Sequence, residues 1–259
     1  MLLAIDVGNT QTVVGIFESV DNDTLLEHWR LSTVTERTAD EYALLIVQFL
    51  NLANLTLKDI TGIAYSSSVP QVTSEIRQSS NRWLKVPLIV VEPGVKTGMP
   101  ILYDNPKEVG ADRITNAVAA YERFKGPTIV VDLGTATTFD AISKNGEYLG
   151  GAITPGIQIS MEALFKEAAA LRSVELVEPK RAIGKSTVES LQSGAIYGFV
   201  SQVDGICERF EEELGKSTVV ATGGLAVLVT GLSKKIKFHD PWLTLHGLRI
   251  IFSRNISLD

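Results

Sequence analysis

The chain begins the same way twice. With Asp6 set on Asp132, residues 6–17, DVGNTQTVVGIF, lie over residues 132–143, DLGTATTFDAIS. Asp6/Asp132, Gly8/Gly134, Thr12/Thr138 and Ile16/Ile142 coincide, at an offset of 126 in a chain of 259 residues. In both copies an apolar run ends in Asp-x-Gly, a short polar turn follows, and a second strand-like run starts at once. Each copy also opens a β-rich stretch that passes into helical patterns. Repetition at half the chain length predicts an α/β protein built from two like halves, 1–125 and 126–259.

Periodicity fills in the halves. Strands are expected near 2–7, 11–18, 24–31, 60–66 and 87–91. Helices are expected near 38–52, where Tyr42, Leu45, Val47 and Leu50 recur, and at 70–83 and 112–124. EPGVKTGMP (92–100) is rich in Gly and Pro and reads as loop. A further strand–glycine unit, STVVATGGLAVLV (217–229), runs from a β pattern through Thr222-Gly223-Gly224 into a helix.

A carboxylate at a strand end, followed by small polar residues, has two explanations. Asp, Gly and Asn form turns, and a hairpin needs nothing more. Alternatively, the amides of such a turn cradle phosphate oxygens, and the Asp holds the cation that neutralises them. In dinucleotide-binding folds and P-loop ATPases the glycine loop leads from strand to helix. Both Asp-x-Gly turns here lead from strand to strand, and GKST at 184–187 lacks the first glycine of a P-loop. Two hairpin turns, one per half, with a late Gly-Gly junction resemble the duplicated actin-like (ribonuclease H-like) fold of the actin/sugar-kinase/heat-shock ATPase superfamily. That resemblance implies ATP in the cleft between the halves. The terminal phosphates would lie on one hairpin, the inner phosphates on the other, and the adenosine at the Gly-Gly.

Composition narrows the function classes. A net charge of −6 argues against a general nucleic-acid or anionic-membrane binder. One cysteine, Cys207, excludes an intrachain disulfide, and with three histidines it argues against a His/Cys zinc site. No apolar stretch is long enough to span a bilayer. Asp6 interrupts the leading apolar run and no basic segment precedes it, so the expected location is the cytoplasm.

Four motifs carry a closer resemblance: DVGNT (6–10), EVGADRITNAVAAYERF (108–124), DLGTATTFD (132–140) and GGAITPGI (150–157). Together, in this order over essentially the whole chain, they resemble type III pantothenate kinase. The resemblance implies a phosphotransferase that passes the γ-phosphoryl of ATP to the primary hydroxyl of pantothenate, giving 4′-phosphopantothenate on the way to coenzyme A. It implies an ATP-phosphate loop at Asp6, Val7, Gly8, Asn9, Thr10, Gln11, Thr12 and Val13, with Asp6 near Mg²⁺ and Thr135 as a further ATP contact. Asp132 is the implied ligand of a monovalent cation, K⁺ or NH₄⁺, and Asp112 the implied general base. Tyr103, Gly110, Ala111, Asp112 and Arg113 are the implied pantothenate contacts. Thr187 would reach the pantothenate of the partner subunit in a homodimer with shared active sites.

Each of these residues has a plainer alternative. Asp112 would suit the N-cap of the helix that follows it, although a cap explains neither Gly110-Ala111 nor Arg113. Arg113 suits pantothenate's carboxylate or a surface ion pair. Asp132 could be a hydrogen-bonded turn residue, Tyr103 a packing aromatic, and Ser186 or Thr187 a helix cap. Two other functions stay open: another small-molecule kinase or phosphatase of the same fold, and a non-catalytic ATP-binding regulator.

Overall fold

The computed structural model describes residues 1–168 and 170–256. Its elements are β1 (Leu2–Val7), β2 (Gln11–Phe17), β3 (Leu25–Ser32), α1 (Ala39–Leu52), β4 (Gly62–Ser67), α2 (Pro70–Ser79), β5 (Leu88–Val90) and α3 (Ala111–Phe124). Then come β6 (Thr128–Leu133), β7 (Ala136–Ile142), β8 (Tyr148–Pro155), α4 (Ile157–Glu167), α5 (Thr187–Leu214), β9 (Thr218–Thr222), α6 (Val227–Thr230), β10 (Phe238–His239) and α7 (Leu243–Asn255).

The repeat is structural. One sheet has the order β3-β2-β1-β4-β5 and the other β8-β7-β6-β9-β10. In each, two hairpins make three antiparallel strands, and two further strands add in parallel beside the first. Parallel addition needs a crossover, which α1 and α2 supply in the first sheet.

The register corrects the ungapped alignment. Val7 pairs with Thr12 across the first hairpin, whereas Leu133 pairs with Thr137 across the second. The second turn is one residue shorter. Thr12 therefore corresponds to Thr137 rather than Thr138, and Ile16 to Ala141 rather than Ile142.

The chain forms two compact units. The first comprises Met1–Pro100, Asp104–Ala119 and the segment from Leu243 on; the second comprises Ile101–Tyr103 and Ala120–Trp242. These differ from a linear division at 125/126, because α7 belongs with the first sheet. Gly15 and Gly62 leave the space that Leu245 and Phe252 of α7 fill: a Cβ on Gly62 would come within 2.1 Å of the Phe252 ring. Between α1, α2 and the first sheet lies a core of Leu3, Ile5, Val7, Ile16, Tyr65, Tyr42, Ile46 and Ile76. The buried stripe of α1 is Tyr42, Ile46 and Leu50, spaced by four, while Leu45 and Val47 are half-buried. In the second unit Ile129, Val131, Leu133 and Phe139 pack with Val200, Val203 and Cys207 of α5.

Two boundaries differ from the sequence expectation. Ile60 ends a single 3₁₀ turn (Leu57–Asp59), so β4 starts at Gly62. The helix expected at 70–83 ends as α-helix at Ser79 and widens into a π turn, Ser80–Leu84, closed by Lys85 at φ 55°. Among the described residues no helix is long and apolar enough to cross a membrane.

Candidate active site

In the first unit the β1–β2 turn exposes Asn9, Thr10 and Gln11. The Gly8 amide closes the turn on the Gln11 carbonyl at 3.0 Å. Thr33, just past β3, braces it from outside. Its amide donates to Thr10 O (3.0 Å) and its hydroxyl to Gly8 O (2.7 Å), and Thr12 Oγ1 lies 2.9 Å from Thr33 Oγ1. Thr12 is thus buried and engaged, and Val7 is wholly buried. Side chains available to a ligand come from the tip.

Asp6 sits at the end of β1 beside Ser66 of the parallel strand β4, whose hydroxyl donates to Asp6 Oδ1 at 2.6 Å. Asp6 keeps some surface open, yet its carboxyl is enclosed by packed atoms. Burial pushes its pKa up to about 7; the Ser66 hydrogen bond opposes the rise, and the charge of Asp112 adds to it. A carboxyl in this setting gains from a cation, whose charge offsets both burial and the second carboxylate. Mg²⁺ fits this donor set, because it is commonly held by one or two carboxylates together with substrate phosphates. Among the described residues no cluster of three or more His, Cys, Asp or Glu forms a cage for a metal.

Asp112 lies in the first turn of α3, half-buried, and its Oδ1 accepts from the Arg113 amide at 2.9 Å. Gly110 makes room for it: a Cβ there would stand 2.5 Å from Asp112 Oδ1. Arg113 is buried. The absence of a side chain at Gly110 thus leaves space for the Asp112 carboxylate at the first turn of the helix, with the Arg113 side chain packed inside. A carboxylate here can accept a proton, and a guanidinium can pair with an acid.

The second unit holds the other candidates. Asp132 ends β6 as Asp6 ends β1, and the two strands share one burial pattern. The Thr222-Gly223 turn backs it closely. Gly223 has φ +90°, and a Cβ on it would lie 2.4 Å from Asp132 Oδ1. Thr135, at the tip of the β6–β7 turn, is exposed. Tyr103 rests over β8, and Thr187 is the first residue of α5. The cap of α5 is Ser186, whose Oγ accepts from the Glu189 amide at 3.2 Å. The Thr187 hydroxyl is therefore exposed and not spent on capping.

Sequence reasoning missed Thr33 and Ser66. Only strand register brings Ser66 beside Asp6, and no local pattern marks it. Thr33 could have been suspected as a polar residue just past the outer strand of a phosphate-type hairpin.

The sheet order, the duplicated hairpins and the Gly-Gly junction define an actin-like fold, the fold also seen in sugar kinases. An inorganic polyphosphate/ATP-glucomannokinase from Arthrobacter sp. strain KM matches with a TM-score of 0.51 at 14% identity, covering 98% of each chain. A structure from Campylobacter jejuni, described provisionally as a Baf family transcriptional activator, matches with a TM-score of 0.61 at 20% identity, covering 98% of each chain. These likenesses establish the fold alone. Sequence goes further. The type III pantothenate kinase family profile matches residues 2–209. Curated type III pantothenate kinases of Streptomyces griseus (56% identical, 99% of both chains) and Myxococcus xanthus (56% identical, 98% of this chain and 99% of the relative) align along their length. The chain belongs to the type III pantothenate kinase family.

Proposed function

We propose that the protein phosphorylates pantothenate at its primary hydroxyl with ATP, yielding 4′-phosphopantothenate and ADP for coenzyme A synthesis. One observation carries the reading: full-length identity of 56% to a curated type III pantothenate kinase.

The chemistry asks mostly for positioning and charge neutralisation. The hydroxyl oxygen of pantothenate attacks the γ-phosphorus, the bond from that phosphorus to the bridging oxygen breaks, and ADP leaves. Asp112 accepts the hydroxyl proton. Arg113 and Tyr103 orient pantothenate, with Arg113 meeting its carboxylate and Gly110-Ala111 leaving space. The exposed tip at Asn9–Gln11 and Thr135 hold phosphates of ATP. Asp6 holds Mg²⁺, which when bound neutralises phosphate charge. Asp132 holds K⁺ or NH₄⁺ as a further countercharge. In a homodimer the exposed Thr187 hydroxyl serves the partner's pantothenate, and the enzyme works in the cytoplasm.

The test is direct: purified protein with Mg-ATP, K⁺ and pantothenate, followed by mass detection of the product. The expected result is 4′-phosphopantothenate formed mole for mole with ADP. ADP release that pantothenate does not accelerate would overturn the reading. The shared site has its own test. Asp112→Asn and Thr187→Ala chains, each crippled alone, are mixed and refolded. Half the dimers are then mixed, each with one intact site, and activity returns to about one quarter of wild type. Only the sum of the two residual activities, despite demonstrated subunit exchange, would rule out action in trans.

A further inference from the structure

Asp140 is fully buried in the second unit, on β7. A buried carboxylate is costly unless donors surround it. Two donors are hydroxyls on neighbouring backbone: Tyr148 Oη donates to Asp140 Oδ1 at 2.7 Å, and Thr138 Oγ1 to Oδ2 at 3.4 Å. Tyr148, the first residue of β8, is itself fully buried. A tyrosine ring so held has one orientation, since both its packing and its hydroxyl are fixed.

The same residue grips the segment that carries Tyr103. The Tyr148 carbonyl accepts from the Leu102 amide at 2.8 Å, and Ile101 forms a parallel bridge with Tyr148. The Tyr103 ring then packs on the Tyr148 ring, centroids 6.4 Å apart and planes tilted by 56°. Gly150 completes the seat. Its φ of +128° belongs to glycine, and a Cβ there would be 3.4 Å from Cε2 of Tyr103. Residues 101–103 have no strand of their own to order them. The Tyr148 backbone holds residues 101 and 102, and its ring meets that of Tyr103.

We propose that the buried Tyr148–Asp140 pair is a positioning device for Tyr103, and through Tyr103 sets the affinity for the acceptor substrate. The pair does not touch the reacting atoms. It removes the freedom of a loop tyrosine before the substrate arrives, so binding need not supply that ordering. The inference rests on Tyr103 contacting pantothenate.

Steady-state kinetics on four proteins test it: wild type, Tyr148→Phe, Tyr103→Ala and the double variant. Tyr148→Phe keeps the ring and loses the hydroxyl. It should raise KM for pantothenate about 3–10-fold, the size expected of one lost hydrogen bond, with kcat and KM for ATP within about twofold. Tyr103→Ala should raise the same KM at least as much. The double variant should be no worse than Tyr103→Ala, because the pair acts only through Tyr103. An unchanged KM for pantothenate in Tyr148→Phe would overturn the proposal. So would a loss shared equally by both substrates, or additivity in the double variant. If Tyr148→Phe fails to fold, Tyr148→Phe with Asp140→Leu removes the buried carboxylate as well. The rise in pantothenate KM should remain, and its absence would count against the device. A wild-type protein that does not turn over pantothenate, or Tyr103→Ala without effect, would fault the substrate reading instead.

Discussion

Thr33 and Gly156 hold the same place in the two sheets. Each follows the outer strand of its hairpin and sends its amide to a turn carbonyl, Thr33 to Thr10 at 3.0 Å and Gly156 to Thr135 at 3.1 Å. There the likeness ends. Thr33 spends its hydroxyl on Gly8 O and meets the hydroxyl of Thr12. Gly156 has no side chain to spend, and a Cβ would lie 2.3 Å from Thr135 O and 2.5 Å from Gly134 O. Accordingly Thr137, the counterpart of Thr12, keeps a buried hydroxyl with no hydrogen-bond partner. The missing residue in the second turn has drawn its backbone onto the chain after β8. A duplicated scaffold was thus kept in its buried strands and altered at its tips. The first tip is open and braced by a side chain, with Asp6 and the charge of Asp112 acting together. The second is shorter and braced by backbone, with Asp132 against a glycine turn. Under the proposed function the first hairpin takes the divalent cation and the second the monovalent one.

The largest effect expected is on chemistry. Asp112→Asn keeps size and lowers kcat by about 10²–10⁴-fold, the usual worth of a general base. Thr135→Ala, at the second tip, should instead raise KM for ATP by about 3–10-fold with little change in kcat. Steady-state kinetics separate the two, and similar profiles would erase the contrast.

Next in size are the braces. Gly156→Ala drives a methyl group into two backbone carbonyls and should cost about 1–3 kcal/mol in urea unfolding. Thr33→Val removes hydroxyl contacts from a turn with room for the side chain and should cost about 1–2 kcal/mol. If Gly156→Ala proved harmless, the second turn would not be as tightly held as described.

Asp6 adds a pH dependence. Its folded pKa is raised from 3.8 to about 7, so between those values the folded chain keeps a proton that the unfolded chain has released. Stability of the ligand-free protein should therefore fall as pH rises through that window. The shift sets a ceiling of about 4 kcal/mol, and partial exposure brings the expected size to about 1–3 kcal/mol. Asp6→Asn should lack this slope and be the more stable protein at pH 8. Parallel unfolding curves for the two proteins from pH 4.5 to 8 would contradict the assignment.

The smallest contrast concerns two threonines. Thr12→Val should cost about 1 kcal/mol, because Thr33 loses a partner, whereas Thr137→Val should be neutral or slightly stabilising. Equal losses would mean that Thr137 is not orphaned.

Much of this comparison was legible in the sequence, because buried strands leave a dense signal. The runs ending at Asp6 and Asp132 are almost wholly buried, so apolar residues mark them, and Asp-x-Gly marks where they stop. The one-residue difference between turns was hidden because Thr137 and Thr138 are adjacent and identical, so an ungapped match hits one of them either way. The π turn after α2 has no marker in SNRWL. The return of α7 to the first sheet is a long-range contact, foreshadowed only by Gly15 and Gly62, whose missing side chains gain meaning once Leu245 and Phe252 are seen against them. Ser66 lies in an ordinary strand, and only the parallel pairing of β1 with β4 makes it the partner of Asp6.

The division of cations between the hairpins is tested by one set of assays. Turnover of wild type, Asp6→Asn and Asp132→Asn is measured across a Mg²⁺ titration, in potassium and in sodium at equal ionic strength. On this division wild type should slow in sodium. Asp132→Asn should be slow and indifferent to the salt, with its Mg²⁺ requirement unchanged, whereas Asp6→Asn should need far more Mg²⁺ while any residual activity still prefers potassium. Equal wild-type rates in both salts, or a potassium preference that survives Asp132→Asn and disappears in Asp6→Asn, would contradict it.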